Sequence, residues 1–395
     1  MDMDSLLRSF VDEGRAAGVS ALVCEGGRER GFSCHGLADM DSGRAFDRDT
    51  LCHIYSMTKV FTAAAALTLI DAGMWELDQP VDEICPDYRY MLRLRRDVRS
   101  DSVDLAPCRE RLTIRHLLTM TSGMAYDLDE STPAERAAHD SMRPIIARMQ
   151  AGERGEEAPY TAARLAREMA GVPLLNEPGT KWHYGLSMDV LGGLIEMTAG
   201  MSLGAYMKRT IFDPLGLNDT HFEVPERDRA RVASIYTLAG GALAPWPGVG
   251  GMPFTETRAL CSGGAGLVST IDDCARFASM LALGGELDGV RVLSKDSVRM
   301  MRSDMLPESA KPSFNWLEER GYTYGLGVRV MQDPSRSAYE EAPGAFGWNG
   351  LAGTSMRIYP DTGRTLIFFI QLVPAMHSRY LPALVKSANG IFMDR

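Results

Sequence analysis

The chain has 395 residues, of which 45% are hydrophobic and 24% charged, as in an ordinary globular enzyme with a sizeable core. Its formal net charge of −10 argues against a surface for nucleic acid or anionic membrane, because such surfaces need clustered cations.

The first elements predict a helix, a β-hairpin and a second helix. Residues 5–17 have an amphipathic helical pattern, and two strand-like runs follow at Val19–Cys24 and Gly31–Cys34. The turn-like Gly26-Gly27 between the two runs predicts that they pair as a hairpin. Residues 57–72 form the strongest helical pattern in the sequence.

The middle and the end of the chain differ in character. Between about 74 and 320 the pattern indicates helices joined by loops, at 112–120, 133–150, 160–170, 188–199, 202–210, 270–284 and 294–303. The Pro- and Gly-rich stretches 239–253 and 304–313 are interpreted as surface loops. From residue 322 the predicted elements are strands at Tyr324–Met331, Gly353–Tyr359 and Arg364–Val373, and a terminal helix at 379–393.

This order of elements predicts an α/β fold of the α+β type. An antiparallel sheet is built from both chain termini and flanked by terminal helices, with a large helical lobe inserted. We expect residues 1–73 and 320–395 to form the sheet lobe and residues 74–319 to form the helical lobe. The two lobes make one catalytic unit with the site between them.

The compartment is indicated by the N-terminus and the cysteines. Residues 1–4 lack the basic and apolar regions of a secretory signal, and no apolar run reaches the length of about 18 residues that a membrane span needs. The seven cysteines show no C-x-x-C spacing, which favours free thiols in a reducing cytoplasm over a disulfide framework or a zinc site. The histidines do not cluster at ligand spacing, so neither a metal nor another cofactor is expected.

One lysine has a serine three residues before it. The chain has six lysines, and only Lys59 follows a serine, Ser56, at this spacing, at the start of the 57–72 helix. Spacing of i to i+3 places both side chains on one helix face, where the lysine can take the proton of the serine hydroxyl. The apolar residues after Lys59 are expected to desolvate it and lower its pKa. The alternative is an ordinary helix cap beside a solvated lysine.

A second candidate is Tyr184, within the segment 181–187. A tyrosine is a poor base unless a cation stabilises its phenolate, and Lys59 can do this if the fold brings the two together. The alternative is a core tyrosine with a satisfied hydroxyl.

Three motifs in order resemble those of the serine β-lactamase and penicillin-binding-protein superfamily, and most of all the class C β-lactamase-like family VIII carboxylesterases. They are Ser56-Met57-Thr58-Lys59, Tyr184 with the following Asp189-Val190-Leu191-Gly192, and Phe346-Gly347-Trp348-Asn349-Gly350. The resemblance implies that Ser56 is the acylated nucleophile and that Lys59 and Tyr184 share the base role. It also implies that the backbone N–H groups of Ser56 and Leu351 form the oxyanion hole.

The chain departs from the β-lactamase pattern at two polar anchors. Trp348 stands where the lactamases have the lysine of K-[ST]-G, and Leu186 stands where they have an asparagine. The family VIII esterase pattern tolerates both changes, and the tryptophan in the third motif is similar to that of some family VIII esterases. The glycines that flank Trp348 suggest an exposed edge strand. The residues expected to bind substrate are Trp348, Asn349, Gly350, Leu186, Tyr126, Trp246 and Arg379.

The sequence therefore predicts a cytoplasmic serine hydrolase that cleaves small, mostly uncharged carboxylic esters through an acyl-enzyme. Its partner is a small-molecule ester or acyl substrate, and the oligomeric state is not indicated. One alternative uses the same acyl-enzyme as an acyltransferase, a D-amino-acid amidase or peptidase, or a weak β-lactamase. An alternative of another class is an inactive binding protein that keeps the fold.

Overall fold

The fold is described by a computed structural model that covers residues 1–96, 103–126, 131–153, 159–248, 260–316 and 319–392. The strands in these residues are β1 Gly18–Glu25, β2 Arg28–Asp39, β3 Arg44–Ala45, β4 Cys52–His53, β5 Leu92–Arg96, β6 Val103–Pro107, β7 Tyr236–Ala239, β8 Ala242–Pro245, β9 Val268–Ser269, β10 Glu286–Leu287, β11 Val290–Arg291, β12 Tyr322–Tyr324, β13 Arg329–Met331, β14 Phe346–Asn349, β15 Ser355–Tyr359 and β16 Arg364–Ile370. The helices are α1 Met3–Asp12, α2 Thr58–Asp71, α3 Ile114–Leu118, α4 Pro133–Glu153, α5 Ala162–Met169, α6 Ser187–Ala199, α7 Leu203–Met207, α8 Asp213–Leu215, α9 Ile271–Ala282, α10 Lys295–Met301 and α11 His377–Gly390.

The main sheet joins the two ends of the chain, as predicted. Its eight strands run in the order β12-β13-β14-β15-β16-β1-β2-β3, and β1 pairs antiparallel with both β16 and β2. The helix α1 packs on β1 and β2 and against α11, while α9 packs on β1, β15 and β16. Residues 18–24 of β1 are all buried, so this strand is covered on both faces and needs a nearly continuous apolar sequence.

The helices of the middle segment agree in position with the sequence pattern, but the pattern missed four short strand pairs. Antiparallel pairs form between β5 and β6, β7 and β8, β10 and β11, and the distant strands β4 and β9. The β7–β8 pair lies in the stretch around 239–253 that was interpreted as a loop, and residues 249–259 lie outside the described residues. The helix α9 belongs to the range assigned to the helical lobe, yet it packs directly on the sheet.

Two predicted elements were wrong in extent. The predicted strand Tyr324–Met331 is a hairpin of β12 and β13, because the chain turns at Gly325–Gly327, where Gly327 has a φ of +75°. The predicted helix 5–17 ends at Asp12, since Gly14 has a φ of +66° and turns the chain toward β1. In both cases a glycine in the left-handed region ends an element that the apolar pattern alone would continue.

All seven cysteines carry free thiols. Within the described part of the chain, no helix combines the length and the apolar character that crossing a bilayer would require.

Candidate active site

Ser56 lies on a tight turn between β4 and α2. A 3₁₀ turn spans Tyr55–Met57, and α2 begins at Thr58. Tyr55 has a φ of +43°, a left-handed conformation that costs a bulky residue energy and needs tight packing to persist. Ser56 is half-buried between two buried neighbours, so the turn presents its hydroxyl from an otherwise closed core.

Lys59 is fully buried one helical turn after Ser56, and the predicted contact between them is confirmed. Its Nζ donates to Ser56 Oγ at 3.1 Å, to the Tyr126 hydroxyl at 3.0 Å and to the Gly264 carbonyl at 2.7 Å. The three donors of the ammonium group therefore have three acceptors, and the alternative of a solvated lysine is excluded.

The predicted lowering of the Lys59 pKa was wrong. Burial lowers the pKa of the ammonium group, but its electrostatic interactions with Tyr126, Tyr184 and Asp189 raise it, and the net pKa lies above the ordinary value for lysine. The apolar residues next to Lys59 in sequence gave no sign of these partners, which come from distant segments. Lys59 is consequently an ammonium ion at neutral pH in the free protein.

Tyr184 lies against Lys59 through its ring. The Lys59 Nζ is 4.6 Å from the centre of the ring, and the Tyr184 hydroxyl accepts a hydrogen bond from Trp348 Nε1 at 3.0 Å. A Cβ on Gly185 would lie 2.0 Å from the Met124 carbonyl oxygen, so glycine is required for the loop to approach this closely. The fold therefore brings Tyr184 to Lys59, although the described contacts include no hydrogen bond between the two side chains.

Sequence reasoning gave Tyr126 a substrate-binding role, but its hydroxyl contacts Lys59 directly. Burial is the largest influence on this phenol and raises its pKa above the ordinary value for tyrosine. Nothing in the Thr121-Ser122-Gly123 segment that precedes Tyr126 indicated a contact between this tyrosine and Lys59.

Asp189 and Gly264 support this site, although neither was given a role from the sequence. The buried Asp189 carboxylate accepts from Ser262 Oγ at 2.5 Å and from the Gly264 N–H at 3.2 Å, and burial raises its pKa. Asp189 thereby holds the glycine-rich loop 263–266 so that the Gly264 carbonyl faces Lys59.

The predicted exposed edge strand at Trp348 was wrong. Trp348 lies on β14, between β13 and β15, and is 3% exposed. A Cβ on the preceding Gly347 would lie 2.0 Å from the Met356 carbonyl oxygen, so this glycine serves close strand packing rather than exposure. The Asn349 side-chain oxygen accepts from Arg329 and Ser355, both at 2.8 Å, which ties it to its own sheet.

The segment after β14 carries the predicted oxyanion-hole donor. The Gly350 N–H donates to the Thr354 carbonyl at 2.7 Å, and a Cβ on Gly350 would lie 2.4 Å from the Ile54 carbonyl oxygen. This close approach brings the segment to the turn that carries Ser56. The Leu351 N–H has no acceptor among the described residues, and its side chain is 39% exposed. A free N–H donor at this position is what an oxyanion hole needs.

The remaining predicted substrate-binding residues lie apart from these contacts. Leu186 is half-buried before α6, and its carbonyl accepts from the N–H groups of Asp189 and Val190. Trp246 is half-buried after β8, and its backbone N–H donates to the Ile235 carbonyl. Arg379 is exposed in the first turn of α11. In the described part of the chain, no hydrogen bond or ring contact joins these three side chains to Ser56, Lys59 or Tyr184.

No group of histidine, cysteine and carboxylate side chains suited to a metal ion occurs among the described residues. The arrangement instead provides a serine hydroxyl, a buried amine, two phenols and a free backbone donor, which together can support nucleophilic acyl chemistry.

Comparison with known proteins assigns the family. The family model described as Beta-lactamase matches residues 3–389. The chain belongs to the beta-lactamase family. This family member is 34% identical over 379 residues to Protein Rv1367c from Mycobacterium tuberculosis, a match that covers 93% of this chain and 89% of the relative. It is 27% identical over 366 residues to Esterase EstB from Burkholderia gladioli, with 89% and 85% covered.

A solved structure supports the same assignment. The structure of EstCE1, described as a hydrolase with promiscuous acyltransferase activity, has a TM-score of 0.79 and 25% identity, covering 98% of this chain and 97% of that chain. The beta-lactamase-like fold predicted from the motifs is therefore confirmed, and the family includes esterase and acyltransferase relatives.

Proposed function

We propose that this beta-lactamase family member is a serine esterase that cleaves small, uncharged carboxylic esters through an acyl-enzyme on Ser56. The observation that carries the proposal is the buried Lys59 Nζ at 3.1 Å from Ser56 Oγ, on a turn where Ser56 is only half-buried. Hydrolysis of esters is also the activity named for the relative EstB.

In this proposal the neutral amine of Lys59 accepts the Ser56 proton as Oγ attacks the ester carbonyl carbon. The N–H groups of Ser56 and Leu351 stabilise the negative oxygen that forms. Tyr184 then gives a proton to the leaving alcohol oxygen and becomes a phenolate. Water attacks the acyl-enzyme and gives a proton to this phenolate, while Lys59 returns its proton to Ser56 Oγ as the acid is released. Because Lys59 rests as an ammonium ion, the reactive form is the fraction that has lost this proton.

The preference for uncharged substrates rests on how little positive charge the third motif and its neighbours offer to a substrate. Trp348 replaces the lysine that would bind a substrate carboxylate, and the neighbouring cation Arg329 is 3% exposed and paired with Glu319 at 3.1 Å. Desolvating a substrate carboxylate without a cationic partner costs several kcal/mol. We therefore favour an esterase over a penicillin-binding or D-amino-acid peptidase function. A reducing, cytoplasmic location is part of the same proposal and is supported by the free thiols.

Acyl transfer is the second candidate. It is favoured by EstCE1, whose described activities include promiscuous acyl transfer. The same acyl-enzyme would then pass its acyl group to an alcohol instead of water. The acceptor oxygen gives its proton to the Tyr184 phenolate, and Lys59 returns its proton to Ser56 Oγ.

The test is the time course of p-nitrophenyl acetate cleavage by the purified protein, with and without an added primary alcohol. The esterase proposal expects a burst followed by steady release of acetate. A burst whose product is mostly the acetate ester of the added alcohol indicates a transferase. A burst without turnover overturns both in favour of a lactam-binding role, and no burst indicates an inactive protein.

A further inference from the structure

Tyr184 and three tryptophan rings form one aromatic wall. Trp316 lies with its ring centre 5.1 Å from Tyr184, 5.0 Å from Trp182 and 6.5 Å from Trp348. Tyr184 contacts Trp182 at 6.0 Å and Trp348 at 5.6 Å. We call these four residues the aromatic wall. The sequence analysis singled out Trp348 and Tyr184 but gave Trp316 no role.

Trp316 is the exposed member of the aromatic wall. Trp182 is 4% exposed and Trp348 is 3% exposed, whereas Trp316 is 42% exposed. Exposure of a large apolar ring beside a reactive site is typical of a ligand-binding surface, because the ring gains contact area when the ligand displaces water.

The backbone that carries Trp316 is anchored by contacts of the residues before and after it. Before it, Phe314 packs edge-on against Trp182 with ring centres 4.7 Å apart. After it, the Glu319 N–H donates to the Trp316 carbonyl at 3.0 Å, and the Glu319 carboxylate forms the buried ion pair with Arg329. A binding surface that is fixed before the ligand arrives loses less conformational entropy on binding.

The aromatic wall lies on the alcohol side of the reacting ester. In the proposed function the Tyr184 hydroxyl serves the leaving oxygen, and Trp316 packs against the Tyr184 ring. The acyl carbonyl oxygen instead points to the N–H groups of Ser56 and Leu351. Arg329, the cation 5.6 Å from the Trp348 ring centre, is neutralised by Glu319, so the wall offers an apolar plane to an uncharged group.

We propose that Trp316 binds the alcohol portion of the substrate and that the protein selects esters of uncharged alcohols carrying a flat, multi-ring group. The inference rests on the proposed esterase function and names its substrate class. A planar ring system can stack on the exposed indole, whereas a short branched alcohol leaves that surface in water.

The experiment compares Trp316→Ala with wild type on two acetate esters, 2-naphthylmethyl acetate and isobutyl acetate. Both leaving groups are primary alcohols and both give the same acetyl-enzyme, so a difference in kcat/KM reports binding of the alcohol portion during acylation. Tyr90→Ala is the matched control, because Tyr90 is an aromatic residue that is 86% exposed at the end of the 3₁₀ turn Pro86–Tyr90.

We expect Trp316→Ala to lower kcat/KM about tenfold for the naphthylmethyl ester and less than about twofold for the isobutyl ester. Where deacylation limits turnover, kcat is unchanged and the loss appears in KM. Trp316→Phe should recover part of the loss, and Tyr90→Ala should change neither ester. Equal losses on both esters, or no loss on either, would overturn the inference while leaving the esterase proposal intact. Wild type that cleaves neither ester would overturn the proposed function itself.

Discussion

Lys59 differs from a solvated surface lysine in both burial and bonding. It has no exposed surface, and its three donors are taken by Ser56, Tyr126 and Gly264. An arginine in this cavity would have to bury a larger, permanently charged group that cannot act as a base. Position 59 therefore requires a side chain with the shape of lysine and with a proton that can be removed.

We predict that Lys59→Arg loses at least about 10³-fold in kcat for p-nitrophenyl acetate, close to the effect of Lys59→Ala. In wild type the raised pKa of Lys59 means that kcat/KM rises with pH from 7 to at least about 9, as the neutral amine becomes more abundant. Lys386→Arg, at a side chain that is 72% exposed, is the control and should keep full activity. Retained activity in Lys59→Arg would refute the base role, whereas a wild-type rate that levels off near neutral pH would contradict the raised pKa of Lys59.

The two tyrosines near Lys59 can be separated by paired substitutions. We expect Tyr184→Phe to lower kcat by roughly 10²–10⁴, because the leaving oxygen loses its proton donor, and Tyr126→Phe to lower kcat by less. Tyr184→Phe also leaves the buried Trp348 N–H without its acceptor, a cost of about 1–3 kcal/mol in the free energy of unfolding. Steady-state kinetics and thermal unfolding of both variants give the comparison. A larger kcat loss in Tyr126→Phe would assign proton transfer to the tyrosine that is hydrogen-bonded to Lys59.

At this scale the sequence predicted those contacts that depend on local spacing. The pairing of Ser56 with Lys59 follows from helical geometry alone. The partners Tyr126 and Gly264 are separated from Lys59 by 67 and 205 positions, so no local pattern could reveal them. Their effect on the Lys59 pKa was missed for the same reason.

Among the secondary-structure elements, α3 has a cap that depends on a neutral histidine. The Thr113 hydroxyl accepts from the His116 N–H, and His116 Nδ1 accepts from the Thr113 N–H at 3.2 Å, which together form a capping box. Burial lowers the pKa of His116 to about 4. As pH falls, the His116 imidazole is protonated in the unfolded chain at a higher pH than in the folded protein. The stability that His116 contributes is therefore present above about pH 6.5 and is lost as pH falls toward 4.

We predict that His116→Gln reduces the acid sensitivity of the fold. Glutamine at this position keeps an acceptor for the Thr113 N–H but does not titrate. Between pH 7 and pH 5 wild type should lose about 2 kcal/mol more of its free energy of unfolding than the variant does. Urea unfolding at the two pH values measures the difference, and His139→Gln, within α4, is the matched control. Equal losses in wild type and His116→Gln would contradict this account of the cap.

Element positions were predictable where hydrophobic periodicity extended over two or more turns, as in α4, α6 and α9. The short pairs β4–β9 and β10–β11 have two residues a strand, too few for a period to show. Trp348 was assigned to an edge strand because the glycines that flank it suggested an exposed position. In the fold, Gly347 instead allows β14 to pack against the Met356 backbone.

Over the whole molecule, the fold places the reactive turn where the sheet built from both termini meets the middle segment. The chain order of the three motifs is fixed by the family, and the sequence was sufficient to identify it. The preference for charged or uncharged substrates is a property of the whole cleft, because it depends on every cation that can reach a bound substrate. Arg379 was among the residues expected to bind substrate, and it is exposed at the start of α11.

We predict that monoethyl succinate is cleaved with a kcat/KM at least about 100-fold below that of ethyl butyrate, because its carboxylate loses water without gaining a cation. Arg379→Ala should leave the ratio unchanged. Efficient cleavage of the charged ester that disappears in Arg379→Ala would show that α11 supplies a carboxylate site and would favour the amidase or peptidase alternative.

Mass spectrometry of acid-quenched protein during p-nitrophenyl acetate turnover shows directly whether Ser56 carries the acyl group. We expect one acetyl group on the peptide that contains Ser56, and no acetylation there in Ser56→Ala, whose residual hydrolysis should be orders of magnitude below wild type. A stable acetyl group on another residue, or Ser56→Ala turning over ester at a rate comparable to wild type, would contradict this role of Ser56.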